Sequence, residues 1–237
     1  MFGLEDKVVL VTGGNRGIGA AIVKLLEERG AKVAYTYRSG EGEHGALALK
    51  ADVTDPEAMN SVAETVEKEL GPIYGIVANA GITNDALLSR MMHDMWDNVI
   101  ATNLTGVYNT IRPIIPLMYE RKAGSLVFIS SVVGEQGNIG QANYAATKAG
   151  LIGLAKTIGL EGARNNVRAN VVTPGFTETD MVKSIPDPVK EKILQTIPLR
   201  RFATEEEIGW ATAFLLSPVM SGYITATTIS VNGGRHT

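Results

Sequence analysis

Residues 7–19 read KVVLVTGGNRGIG. An apolar run without polar alternation is what a parallel strand covered on both faces requires. It opens directly into a glycine turn in which Gly13, Gly17 and Gly19 follow the spacing G-x-x-x-G-x-G, with Asn15, Arg16 and Ile18 between them. Glycine permits a tight turn and lets backbone approach a pyrophosphate. A helix starting there, expected near 17–29, aims its N-terminal N–H groups at the same anion. Such a turn can be purely structural, but its place between a strand and a helix favours dinucleotide binding.

The same alternation continues along the chain. Strand-length apolar runs lie at 7–12, 31–37, 46–51, 73–79, 125–131, 167–173 and 227–233, and helical candidates lie near 17–29, 55–70, 92–119, 143–164 and 204–216. Thr54, Asp55 and Pro56 make a good helix start, as does Thr204 ahead of Glu205, Glu206 and Glu207. Strand alternating with helix predicts an α/β doubly wound parallel sheet of about seven strands with helices on both faces. Residues 1–237 read as one domain, without linker, repeat or low-complexity tract. The connection at 38–45, RSGEGEHG, is too short for a full crossover helix and is expected to be a loop or a single turn.

Composition narrows the class of function. The formal charge is −3 and no strong basic field is present, which argues against a general nucleic-acid binder. There are no cysteines, so disulfides and thiol chemistry are excluded, and a reducing compartment fits. Charges at Glu5, Asp6 and Lys7 ahead of a short apolar strand are unlike a signal peptide, and no run reaches the length of a membrane span. A soluble, cytoplasmic protein is expected. The histidines at 44, 93 and 236 lack metal-ligand spacing, so no metal site is expected. The Met-rich stretch LLSRMMHDMW, 87–96, reads as packing and pocket wall.

Two stretches carry chemistry. After the second strand, an NAD-binding protein usually places a carboxylate for the ribose 2′-hydroxyl. Here stand Arg38 and Ser39, a cation and a hydroxyl suited to a 2′-phosphate, with Arg16 as a further cation; Glu41 and Glu43 follow and oppose it. The second stretch is SSVVGEQGNIGQANYAATKAG, 130–150, in which Tyr144 and Lys148 lie one helical turn apart. A cation beside a phenol favours the phenolate, which matters if the phenol exchanges a proton.

These motifs, with NAG at 79–81, TNLTG at 102–106 and TPGFTETDM at 173–181, resemble the short-chain dehydrogenase/reductase family over essentially the whole chain. Within it, 130–153 and 174–181 are most similar to 3-oxoacyl-[acyl-carrier-protein] reductases, with acetoacetyl-CoA reductases nearly as similar. The resemblance implies a Rossmann-type fold, NADPH/NADP+ as cofactor, and a homotetramer. The implied activity is reduction of a 3-oxoacyl thioester to the (3R)-3-hydroxyacyl thioester in fatty acid biosynthesis. Polyhydroxyalkanoate synthesis with a coenzyme A thioester, or an NADP-dependent alcohol or sugar dehydrogenase, are its alternatives.

By the same resemblance Tyr144 is the proton donor, Lys148 lowers its pKa and holds the nicotinamide ribose, Ser131 bonds the substrate carbonyl, and Asn103 anchors a water of the proton relay. Ser131 rather than Ser130 has the family's spacing to Tyr144. Asp52 and Val53 would flank the adenine, and Asn79, Ala80 and Gly81 the adenosine ribose. Pro174, Gly175, Thr177 and Thr179 would lie along the nicotinamide and pyrophosphate, with Thr177, where an aliphatic residue is commoner, acting through its backbone. Ala145, Ala149 and Gly153 form a small-residue ridge suited to helix pairing between subunits. Acyl carrier protein is acidic, so basic residues should dock it; Arg121, Lys122, Arg164 and Arg168 are the candidates.

Overall fold

The structure, a computed structural model, describes residues 2–40, 42–179, 182 and 186–236. In chain order the elements are β1 (Val8–Thr12), α1 (Gly17–Glu28), β2 (Lys32–Tyr37), β3 (Leu47–Lys50), α2 (Pro56–Glu69) and β4 (Ile73–Ala78). They continue with α3 (His93–Ile100), α4 (Gly106–Ile111), α5 (Ile115–Arg121), β5 (Gly124–Ile129), α6 (Val132–Gln136) and α7 (Ala142–Gly162). The last are β6 (Val167–Pro174), α8 (Asp187–Gln195), α9 (Glu205–Leu216) and β7 (Thr228–Val231).

All seven expected strands form, in one parallel sheet of order β3-β2-β1-β4-β5-β6-β7. Both faces are covered. Val8 and Leu10 of β1 join a core under α2, α4 and α7, while Val9 and Val11 join a second core under α1 and α9. That two-sided burial is why β1 carries no polar alternation. The strand order reverses at β1 and β4, so a crevice opens at their carboxyl ends, where an α/β sheet binds its ligands.

The helix starts follow their caps. Asp55 accepts from the N–H groups of Glu57 and Ala58 at 3.0 and 3.2 Å. Thr204 and Glu207 form a reciprocal capping box at the head of α9. The single helix expected at 92–119 is instead interrupted twice. Ala101–Thr105 is a π-helical turn closed by the Gly106 N–H on the Ala101 carbonyl. Pro113 lacks an N–H, and the chain turns at 112–114 before restarting as α5 with Pro116 in its first turn. The short helices α6 and α8 were not apparent from apolar periodicity.

The 38–45 connection carries no helix among its described residues. It can be short because β3 starts level with Ala34, so the chain retreats only about 10 Å from Tyr37 before pairing again.

Candidate active site

The crevice walls are tied together by one hydroxyl and one amide. The Thr12 hydroxyl, at the end of β1, accepts from the backbone N–H groups of Asn79 and Ala80 at 3.0 and 3.1 Å. Asn79 returns both amide protons to the Thr12 and Gly13 carbonyls at 3.0 and 3.1 Å. Behind them Gly19 packs so closely that any side chain there would overlap the Gly13 carbonyl. The result is a groove of about 380 Å³.

Gly13, Asn15, Arg16, Gly17, Ile18 and Gly19 line one side of it, Arg38 and Ser39 its far end, Asp52 and Val53 the flank, and Asn79, Ala80 and Gly81 the other strand end. Thr179 lines it as well. These are glycines, backbone donors and exposed cations around one cleft, and they fit a dinucleotide. The Asp52 carboxylate takes the Thr54 N–H at 2.9 Å, and this bond, the Thr54 hydroxyl and the Arg38 cation hold its pKa below the ordinary value against partial burial. Thr36, Tyr37, Ala51, Ile82 and Thr102 also line the groove; Thr102 opens the TNLTG stretch but was not singled out, and the other four carry no motif by which sequence could single them out.

Pro174, Gly175 and Thr177 do not line this groove. Thr177 is buried and its hydroxyl is turned back on the Gly175 carbonyl at 3.3 Å. Asp180 and Met181, the end of the TPGFTETDM motif, lie outside the described residues, as does Glu41. Glu43 is exposed and is not part of the lining.

The groove ends against a cluster of four side chains. A methyl group placed on Gly81 would stand 3.3 Å from Asn103 Oδ1 and 3.6 Å from Lys148 Nζ. Tyr144 and Lys148 share the first turns of α7, with the ammonium 5.5 Å from the centre of the phenol ring. Lys148 is 4% exposed, and Nζ donates to the Ile129 carbonyl at 2.7 Å. Burial lowers its pKa to about 8. Burial raises that of Tyr144, the Asp85 carboxylate adds to the rise, and a hydrogen bond with Ser131 opposes it. In the protein alone Tyr144 is therefore a protonated acid at neutral pH.

The two serines are separated by use. Ser130 is buried and its hydroxyl donates to the Lys148 carbonyl at 2.7 Å, bracing α7. Ser131 caps α6, accepting the Val133 N–H at 3.1 Å, so its own proton is not spent on the cap and is offered to the Tyr144 phenol oxygen. Asn103 sits in the π-helical turn, fully buried. Its amide accepts from the Ile82 N–H at 2.8 Å and donates to the Ile82 carbonyl and Thr147 hydroxyl at 2.9 and 3.3 Å. The side chain thus joins the β4 exit to α7.

Other supports were not singled out in the sequence. Buried Asn143 takes the Tyr144 N–H on its oxygen and gives its amide protons to the Asn84 and Met95 carbonyls. Gln141 donates to Asp85 at 2.8 Å, so the segment leading to α3 is fastened to the head of α7. Leu87, Leu88 and Met92, part of the Met-rich stretch, are exposed rather than packed.

The four docking cations do not gather at this mouth. Arg168 is buried, bonded to the carbonyls of Leu215, Leu216, Ser217 and Ile224. Arg121 makes a two-point ion pair with Glu67. Lys122 precedes β5 and Arg164 precedes β6, at the amino end of the sheet, whereas the cleft lies at the carboxyl end. Their positions before the strands, rather than after them, are the reason. Among the described residues no group of three or more His, Asp or Glu could hold a metal, and no helix is long and apolar enough to cross a membrane.

Comparison with known proteins agrees with this architecture. A family model described as enoyl-(acyl carrier protein) reductase matches residues 13–236. A protein named acetoacetyl-CoA reductase, from Synechocystis sp., is 56% identical over 236 residues, covering 99% of this chain and 98% of its own. A 3-oxoacyl-[acyl-carrier-protein] reductase FabG from Salmonella typhimurium is 44% identical over 240 residues, covering 98% of each. An acetoacetyl-CoA reductase from Shinella zoogloeoides is 44% identical over 238 residues, covering 97% of this chain and 98% of its own. The chain belongs to the short-chain dehydrogenase/reductase family. It is an oxidoreductase of that family, which uses a nicotinamide cofactor.

The buried ammonium gives a stability prediction. A lowered folded pKa means that the unfolded chain binds this proton more tightly, so charged Lys148 destabilises the fold. The penalty is fully present below about pH 8 and fades as pH rises toward 10.5. Lys148→Met should therefore be more stable than wild type at pH 7, by at most roughly 3 kcal/mol in urea unfolding, with the gap closing near pH 10.5. A gap that does not change with pH would contradict this.

Proposed function

We propose that the protein reduces the 3-oxo group of an acyl thioester to the (3R)-3-hydroxyacyl thioester with NADPH, acting in the cytoplasm on substrate carried by acyl carrier protein in fatty acid biosynthesis. The observation that carries it is a protonated, half-buried Tyr144 beside Lys148 and Ser131, at the end of a dinucleotide groove. The reduced nicotinamide, when bound, supplies hydride to C3. Ser131, which offers its proton to the phenol in the protein alone, would turn it as a hydrogen bond to the C3 oxygen, where negative charge grows. Tyr144 transfers its phenolic proton to that oxygen, and Lys148 stabilises the phenolate left behind. One hydride and one proton convert the ketone to the alcohol. Asn103 holds the β4 exit and α7 in register for this transfer.

Two cations and a hydroxyl, Arg16, Arg38 and Ser39, line the end of the groove where a 2′-phosphate is favoured over a bare ribose. Arg38→Asp should move preference toward NADH by removing an ion pair and adding repulsion. Wild-type protein that uses NADH as efficiently as NADPH would overturn this assignment.

Tyr144→Phe should keep NADPH binding and lose most turnover. Ser131→Ala should lower kcat strongly, by about a hundredfold or more, and Ser130→Ala much less. The reverse order of the serines would remove Ser131 from the mechanism.

A second reading, a coenzyme A thioester as the natural substrate, is favoured by the relative of 56% identity, which bears that name. Measuring kcat/KM for acetoacetyl groups on the two carriers separates them: a higher value on acyl carrier protein is expected, and a higher value on coenzyme A transfers the proposal to that substrate. The family description names enoyl reduction. A trans-2-enoyl thioester turned over faster than the 3-oxoacyl thioester would refute ketone reduction.

We also propose a homotetramer. Ala149 and Gly153 are exposed on α7, and a side chain at Gly153 would meet nothing within 4 Å, so this face of α7 is open to a second copy. Antiparallel pairing there would bring Lys122 and Arg164 of one copy toward the cleft of the next. Light scattering should return about four times the chain mass of 25.2 kDa; an active monomer would refute the assembly.

A further inference from the structure

The residues assigned above to a 2′-phosphate are carried by a connection with no helix among its described residues. What fixes it is visible at two places. Asn15, in the glycine turn, donates its amide to the Ser39 and Gly40 carbonyls at 3.0 and 2.6 Å. Tyr35, 1% exposed within β2, accepts the Gly42 N–H at 3.0 Å, and its hydroxyl lies 3.2 Å from the Gly42 carbonyl, which it faces as donor. Further along, Gly45 at φ +102 lies against the Tyr35 ring, where a Cβ would stand 2.6 Å from the ring edge. The loop is thus laid flat over Tyr35 and fastened at its near end to the turn that begins α1.

The geometry points to Asn15 and Tyr35 as positioning residues that set the preference for a 2′-phosphorylated dinucleotide, by latching the connection after β2 onto the glycine turn. This rests on the assignment of Arg16, Arg38 and Ser39 to the phosphate. Two electrostatic consequences follow. The Asn15 amide occupies the Ser39 and Gly40 carbonyl oxygens, which would otherwise be free to turn toward an anion and repel it. It also fixes the backbone from which Arg38 and Ser39 project, so neither has to be ordered when phosphate binds. A cofactor lacking the 2′-phosphate gains nothing from that ordering. Tyr35 acts only through Gly42, since it does not line the groove.

Two readouts on the ligand-free protein test the latch. Hydrogen–deuterium exchange over 36–46 should accelerate in Tyr35→Phe and in Asn15→Ala. Equilibrium titration with NADPH and with NADH, followed by nicotinamide fluorescence, should show NADPH weakened about fivefold in Tyr35→Phe, the ordinary worth of one hydrogen bond, with NADH within about twofold. Asn15→Ala should shift the ratio in the same direction. Faster exchange with an unchanged NADPH-to-NADH ratio, or equal weakening of both, overturns the latch as a determinant of preference. Unchanged exchange overturns the latch itself. Failure of the underlying phosphate assignment shows separately, in wild-type protein that binds both cofactors equally.

Discussion

The ammonium of Lys148 is held almost entirely away from water, against one backbone carbonyl and beside one phenol. Much of the surrounding structure keeps it there. Ser130 fixes the main chain of Lys148, Asn103 and Thr147 fix the turn before it, and Asn143 fixes the head of α7. Burial makes the charge expensive and also makes its field at Tyr144 stronger than it would be in solvent. In the proposed mechanism that field would stabilise the phenolate left when Tyr144 gives up its proton, against the rise in pKa that burial of the phenol itself imposes.

The sheet determines where this can happen. Reversal of strand order at β1 and β4 opens the crevice, and the Thr12–Asn79 ties hold its walls. The glycine turn leaves β1, the NAG segment leaves β4, and the Ser131 cap leaves β5. All three therefore emerge at the carboxyl end of the sheet, beside the head of α7.

Much of this was legible in the sequence because it rests on local chemistry. Buried parallel strands must be continuously apolar, glycine must occupy the turn behind Gly13, and one helical turn must separate Tyr144 from Lys148. What was not legible depends on tertiary contact. The break at 101–105 has no proline, and its π-helical turn carries Asn103 into contact with Ile82 and Thr147, which sequence does not show. Family resemblance points to Asn103, and the fold shows what its side chain braces. Arg168, within the run expected as a strand at 167–173, reads as a surface cation, yet it is buried under carbonyls from α9 and the segment after it. The helix-free connection after β2 was expected from its length; that Asn15 and Tyr35 hold it was not, because both partners are loop carbonyls or amides rather than side-chain motifs.

In the proposed mechanism Tyr144 is the proton donor, protonated in the ligand-free protein and driven toward phenolate by positive charge in the occupied site. Ultraviolet difference titration of the phenol, taken as wild type minus Tyr144→Phe, measures this directly. Without cofactor the Tyr144 signal should appear above the ordinary phenol value of 10.0. With saturating NADP+ it should move down by at least about one pH unit, toward neutrality. A Tyr144 signal at the same pH with and without NADP+ would contradict the account.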